Sequence, residues 1–399
     1  MEWKSARRAL VPAFNQANLN RMIPITNDNS RTFCRIIDEQ LNENNQFEIS
    51  DLKPMVVNYS IDNILESLMG ISLNAQLNWA EKKIKHNEKE QTPEEEYHYC
   101  LEKAFDIIFK RIVNPLYRID WLFKLTSTGR KFEKHVKVVR NFTKKVIIER
   151  KNQMKISEQT NENINKTENN DFLIPILDLM LKYNSKDSMI FDVDAICDQV
   201  TTLIFGGHDT TSTTANYFLT KVANSPDVQA KLHEEMDQIF NGDIERNVTL
   251  EDIKQMSYLE ACIKECLRII PPIAFYGRVL EQDIQYNKYT IPRDTTVVVI
   301  SPILLRDPLS FKISNRFIPE RFIESSYRFH HGAYLPFGTG PRVCIGFTSA
   351  MQGLKIILSH ILRRYRLETS VDADRLKYSF SISTKITSPI PMKFIKREC

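Results

Sequence analysis

The chain has 399 residues, 42% hydrophobic and 26% charged, the composition of an ordinary globular protein long enough to bury a large core. Fifty-four Lys and Arg against 50 Asp and Glu leave a formal charge of +4, too weak a basic bias to point to a nucleic-acid partner. Seven cysteines without paired spacings argue against a disulfide framework and for a reducing compartment, and no apolar run is long enough to cross a membrane.

In chain order, residues 1–8 are polar and amphipathic, unlike a signal peptide, so the natural N-terminus is expected further upstream. Apolar residues then recur at helical spacing over most of the first two-thirds: Val56, Val57, Ile61, Ile64, Leu65 and Leu68, later Phe105, Ile108, Phe109 and Ile112. From Lys155 to Asn170 the chain reads KISEQTNENINKTENN, an Asn-rich solvated loop, and periodicity resumes at Phe172, Ile176, Leu177 and Met180. A long helix is predicted from about Asp192 through Thr220. Gly206 and Gly207, beside Asp209, Thr210 and Thr211, are poor helix formers and are expected to loosen or open one turn of it.

After Pro271 and Pro272 the pattern changes to short β-like stretches, Tyr289–Ile291 and Thr295–Ser301, with a turn at Pro292-Arg293-Asp294. Pro302, Pro308 and Pro319 mark an irregular meander. A final helix from about Cys344 to Arg364 and a β-like tail holding Pro389 and Pro391 complete the chain. The expected fold class is mainly α with small β-sheets, residues 1–399 forming one domain.

The strongest chemical signal is Phe337-Gly338-Thr339-Gly340-Pro341-Arg342-Val343-Cys344-Ile345-Gly346, with three glycines, an Arg and a Cys in one loop opening onto an apolar helix. A thiolate bound to iron needs backbone N–H groups and a helix N-terminus near its sulfur, since both favour negative charge. Glycines permit that close backbone approach. Arg342 would meet a haem propionate and Phe337 would cover the sulfur side and keep it dry. On average residue usage, the pattern F-x-x-G-x-R-x-C-x-G arises by chance in roughly one such chain in 10⁴ or fewer.

This loop resembles the cysteine-ligand signature of the cytochrome P-450 family. Glu265-Cys266-Leu267-Arg268 is similar to the family's E-x-x-R. With Pro271-Pro272 and then Pro319-Glu320-Arg321-Phe322 following, Arg321 is the expected third member of a structural cluster. Gly206-Gly207-His208-Asp209-Thr210-Thr211 resembles the oxygen-activating segment, which makes Asp209 and Thr210 the acid and alcohol that deliver protons so that one oxygen leaves as water. His208 is expected behind the site or on the solvent side. Trp3 and Arg7 resemble the W-x-x-x-R helix that binds haem propionates, and Arg278 matches a further propionate contact.

The resemblance implies a haem-thiolate monooxygenase with haem b, Cys344 ligating the iron and Trp3, Arg7, Arg278, Phe337 and Arg342 holding the group. It implies O2, electrons from NADPH through a flavoprotein reductase, and a lipophilic substrate: a fatty acid, hormone or xenobiotic. Phe205, Ile273, Ala274, Phe275 and Ile382 match pocket-lining positions. The spelling is similar to that of the animal microsomal clan, which includes fatty-acid hydroxylases and insect detoxifying enzymes. That implies the cytosolic face of the endoplasmic reticulum membrane, with membrane association in the full-length protein. Gly206 stands where that clan often carries a Glu, Gly353 where a carboxylate is usual, and Phe347-Thr348 where mitochondrial relatives carry Arg-Arg. Lys4, Arg8, Lys355, Arg363 and Arg364 could form a basic face for the reductase, the alternative being a solvated charged face. The similarity begins at Trp3, so the expected fold lacks the family's N-terminal anchor and first helices and strands. With a wall of the cavity missing, the chain is expected to hold haem poorly, the alternative function being an inactive haem-binding or haem-free remnant.

Overall fold

The computed structural model describes residues 2–84, 92–159, 175–186, 193–324, 327, 330 and 332–398. The helical first part comprises α1 (Glu2–Leu10), α2 (Gln16–Asp38), α3 (Lys53–Ile64), α4 (Ala75–Ile84), α5 (Pro93–Val113), α6 (Asp120–Leu125), α7 (Ser127–Gln159), α8 (Ile176–Lys186) and α9 (Val193–Ala223). Then come α10 (Pro226–Phe240), α11 (Leu250–Gln255), α12 (Ser257–Ile269), the one-turn α13 (Ser301–Leu304) and α14 (Phe347–Arg364). Local chemistry sets several ends. At α5, Thr92 accepts from the Glu95 N–H while the Glu95 carboxylate accepts from the Thr92 N–H, with Pro93 as the first helical residue. At the end of α10, Asn241 adopts φ +50°, the left-handed geometry that stops a helix.

The strands are short and all pair antiparallel. β1 (Gln46–Ile49), β9 (Met392–Lys396) and β6 (Tyr365–Glu368) make one sheet with β9 in the middle. The other pairs are β2 (Phe275–Val279) with β5 (Thr296–Ile300), β3 (Ile284–Tyr286) with β4 (Tyr289–Ile291), and β7 (Tyr378–Phe380) with β8 (Thr384–Ile386).

Two hydrophobic clusters fill the interior. One joins α2, α10, α12, α14 and the β1–β9–β6 sheet. The other joins α5, α7, α8 and the end of α3. Helix α9, 31 residues and about 46 Å long, runs through both. Ile196, Cys197, Val200 and Ile204 belong to the second cluster, and Ala215, Tyr217, Phe218, Leu219 and Val222 to the first. The Gly- and Thr-rich stretch between them lies where the cores part, leaving room for a cavity.

Residues 265–321 hold a fully satisfied ion cluster. Arg268 donates from Nε and Nη2 to the two Glu265 oxygens at 2.7 and 2.9 Å, and Arg321 Nε donates to Glu265 Oε1 at 3.1 Å. Remaining guanidinium protons go to the carbonyls of Leu305, Ser314, Arg316 and Lys312, which ties the irregular meander to α12. The three-residue grouping expected from the sequence is present.

Four expectations need correction. Helix α9 runs unbroken through Gly206 and Gly207: packing of both its ends outweighs weak propensity, and the Thr210 hydroxyl donates to the Gly206 carbonyl at 2.7 Å along the helix. The last helix begins at Phe347 rather than Cys344, because Gly338 and Gly340 keep the preceding loop in left-handed turns. The basic face does not form: Lys355 is buried and paired with Glu260, Arg363 is buried against Phe240, and Arg364 is buried and paired with Glu245. Only Lys4 and Arg8 of that set are exposed. Of the predicted loop from Lys155 to Asn170, residues 155–159 continue α7; its remainder and Phe172 lie outside the described residues. No helix among the described residues is long and apolar enough to cross a membrane.

Candidate active site

The loop before α14 is shaped by its own backbone. Gly338 and Gly340 both take φ +72°, which L side chains rarely adopt, and the Val343 N–H donates to the Gly340 carbonyl at 3.0 Å. The Cys344 N–H returns to the Phe337 carbonyl, also at 3.0 Å, so the two ends of the motif are clasped together. Gly346 caps α14, and its N–H, with the positive charge of Arg7, favours a thiolate at Cys344; surrounding protein pulls the other way and leaves the thiol above its usual range. Among the described residues the other cysteines are buried, whereas Cys344 is exposed.

Cys344 opens into a cavity of about 460 Å³. One wall is the loop, with Phe337, Arg342 and Ile345. Facing it across the cavity is α9, which contributes Gly206, Gly207, Thr210, Thr211 and Thr214; apolar Ile64, Leu68 and Ile273 close further sides. Added Cβ atoms at Gly206 on α9 and Gly338 on the loop would meet nothing within 4 Å, so open space lies beside one glycine of each wall.

Cations gather at one edge. The Arg342 guanidinium lies 3.5 Å from the Trp3 ring centroid, and Arg7, 5.8 Å from that ring, donates from Nη2 to the Val343 carbonyl at 2.8 Å. Helix α1 is thereby docked on the Cys344 loop, although 336 positions separate Arg7 and Val343. Arg342 is on the cavity wall, and Trp3 and Arg7 lie behind it. Arg278, on β2, also reaches the wall, stacked on Tyr276. An open thiol, a slot lined by glycines and apolar side chains, and arginines at its rim suit a flat iron macrocycle carrying two carboxylates.

Thr210 is on the cavity wall, but Asp209 is not. Neighbouring helix positions diverge by about 100°, so Asp209 points behind the wall, only 4% exposed, with Oδ2 lacking a hydrogen-bond partner. Burial pushes its carboxyl up to about 6, held from going higher by the nearby Ser383 hydroxyl; Glu102 adds to the rise and Lys385 opposes it. His208 is not on the solvent side. It is completely buried, its Nε2 lies 3.2 Å from His98 Nδ1, and its Nδ1 is 2.7 Å from the Ile204 carbonyl. Burial lowers His208 to about 4 and His98 to about 3, so both rings are neutral near neutral pH.

Of the predicted pocket residues, Phe205 and Ile273 line the cavity; Ala274, Phe275 and Ile382 do not. Ala274 is buried with its carbonyl bound to the Ser301 N–H, and Phe275 packs on Phe109 with centroids 5.6 Å apart. Sequence reasoning missed His98, Ser383 and Lys385, which approach α9 from α5 and the β7–β8 hairpin. No motif marks them.

Residues 1–394 match the family model described as Cytochrome P450. The chain is 30% identical over 392 residues to "Cytochrome P450 4c21" of Blattella germanica, an alignment covering 98% of this chain and 74% of that protein. It is 29% identical to "Cytochrome P450 4V2" of Homo sapiens over 99% of this chain and 72% of that protein. With "Cytochrome P450 4d2" of Drosophila melanogaster the identity is 30%, over 92% and 70% of the two chains. The clasped Cys344 loop, the cavity and these matches agree: the chain belongs to the cytochrome P450 family of haem monooxygenases.

Proposed function

We propose that residues 1–399 act as one domain that inserts one atom of O2 into a lipophilic substrate, with electrons from NADPH delivered by a flavoprotein reductase. Fatty acids, hormones and xenobiotics are the substrate classes the apolar cavity favours. The site of action is the cytosolic face of the endoplasmic reticulum membrane. The haem, when bound, supplies the binding and reductive activation of oxygen.

The protein's residues supply the rest. Cys344 is the sulfur ligand: burial raises its thiol, and the Gly346 N–H and Arg7 partly offset that in favour of the thiolate. Arg342, backed by Trp3 and Arg7, and Arg278 hold the propionates. Phe337 keeps water from the sulfur, packed edge-on against Phe347 at 4.7 Å. Thr210 presents its hydroxyl to the cavity, and Asp209 behind it holds and releases a proton, as a buried carboxyl titrating near 6 is suited to do.

The observation that carries this reading is the open Cys344 thiol facing the Thr210 wall across one cavity. Absorbance of the purified, reduced, CO-treated chain tests it: the red-shifted Soret band of a thiolate-bound haem is expected, and Cys344→Ser is expected to abolish it. Failure to take up haem would overturn the monooxygenase reading in favour of an inactive haem-free protein. An unchanged band in the Ser variant would remove Cys344 as ligand.

A further inference from the structure

The turn that joins β7 to β8 reaches α9 without lining the cavity, and it is clamped. Thr384 donates from its N–H to the Pro272 carbonyl at 2.7 Å and from Oγ1 to the Pro271 carbonyl at 2.8 Å. Thr213, one helical turn after Asp209, donates to the Thr384 carbonyl at 3.5 Å. Two residues beyond Ser383, Lys385 places its ammonium 3.4 Å from Glu102 and 3.4 Å from Asp106 on α5. Ser383 lies in the turn just before β8, its carbonyl accepting from the Ser381 N–H at 3.0 Å, so the clamps on Thr384 and Lys385 hold it from the next two positions.

Ser383 is completely buried, and its hydroxyl has no hydrogen-bond partner; neither has Asp209 Oδ2. A fold rarely leaves one buried polar atom unpaired, because each forfeits its hydration. Here two such atoms come from segments 174 positions apart, and the Ser383 hydroxyl is near enough to act on the Asp209 carboxyl.

We propose that Ser383 is a positioning residue for Asp209: its hydroxyl engages the unpaired carboxyl oxygen, sets the acid's proton affinity and holds it in place behind Thr210. This rests on the reading of Asp209 as the proton-carrying group. The other groups facing Asp209 are few. Glu102 raises its proton affinity and Lys385 lowers it, each tempered by the Glu102–Lys385–Asp106 contacts, while His98 and His208 stay neutral. Ser383 is the hydroxyl able to stabilise the ionised form directly, so that the acid can both give up and regain a proton.

The test uses the haem-loaded full chain with reductase and NADPH, comparing wild type with Asp209→Asn, Ser383→Ala, Ser383→Cys and Ser383→Thr. Two quantities are read: product formed per NADPH consumed as a function of pH, and titration of the Asp209 carboxyl by infrared difference against Asp209→Asn. Loss of the hydroxyl in Ser383→Ala is expected to move the titration midpoint up by about one pH unit, a tenfold change in proton affinity, and the coupling profile with it. Ser383→Cys, which changes the volume little, should move both the same way, and Ser383→Thr should restore both. Should Asp209→Asn lower coupling while Ser383→Ala and Ser383→Cys leave midpoint and profile in place, the role of Ser383 is overturned and that of Asp209 stands. If Asp209→Asn leaves coupling intact, the reading of Asp209 falls and this inference with it.

Discussion

Glu265 on α12, 0% exposed, and Asp209 on α9, 4% exposed, are both carboxyl groups almost out of reach of water. Glu265 receives the Nε and Nη2 protons of Arg268, the Nε proton of Arg321 and the backbone N–H of Ile318. Asp209 has no arginine, keeps one oxygen unpaired and has its proton affinity raised by burial. A buried carboxylate with both oxygens bonded to buried guanidinium groups serves as a fixed joint. One left partly unsatisfied has two states close in energy, which proton transfer requires. The joint ties α12 to the meander that precedes the Cys344 loop, while the two-state acid stands behind the opposite wall.

The comparison breaks most decisively at Glu265. Glu265→Gln keeps the shape but leaves Arg268 and Arg321 buried without a countercharge, at a cost of about 3–5 kcal/mol. The urea midpoint should fall steeply, and haem should be lost even though the side chain is remote from the Cys344 loop. A midpoint equal to that of the wild type would mean that the cluster is not a joint.

Asp209→Asn should act in the opposite direction on stability. The folded-state carboxyl is raised from the ordinary 3.8 to about 6, so its favourable contribution is complete below 3.8 and is lost as pH rises through 6. Near pH 8 the wild type therefore carries a buried ionised group that the amide variant lacks. Unfolding should show the variant more stable there by up to roughly 3 kcal/mol, and equal to the wild type near pH 4. Product formation should nonetheless fall about 10²-fold, with more NADPH consumed per turnover. A variant destabilised at pH 8 would place Asp209 with Glu265 as a structural charge.

What could be read from sequence divides along the same line. The Cys344 loop, the Glu265–Arg268–Arg321 cluster and the Thr210 face carry their chemistry in short spacings, and the structure assembles each. The positions misread, Lys355, Arg363 and Arg364, are buried against residues far along the chain, Glu260 for Lys355, Phe240 for Arg363 and Glu245 for Arg364, while His208 takes the first of its two expected places, behind the site against His98. Hydropathy patterns assign charged and imidazole side chains to the surface. Only tertiary pairing brings them inside. For the same reason Ser383 and Lys385, which complete the surroundings of Asp209, had no signal in a tail legible only as β-like.

The smallest effects lie at the two glycines of α9, where packed and open sides of the helix meet within one residue. A Cβ at Gly207 would come within 2.1 Å of Ile64 Cδ1, in the contact between α3 and α9, and Ile64 must turn to make room. Gly207→Ala should therefore cost about 1–3 kcal/mol, the usual toll of overfilling a core. At Gly206 an added Cβ meets nothing within 4 Å, and Ala is the better helix former by about 1 kcal/mol. Gly206→Ala should raise the unfolding midpoint slightly and narrow the cavity by one methyl on the Thr210 side, which binding spectra with apolar ligands of graded width would detect. Equal effects at the two sites would mean that α9 is packed alike on both faces, and the distinction between a fixed side and a poised side of this helix would fail at the residues where it is drawn most finely.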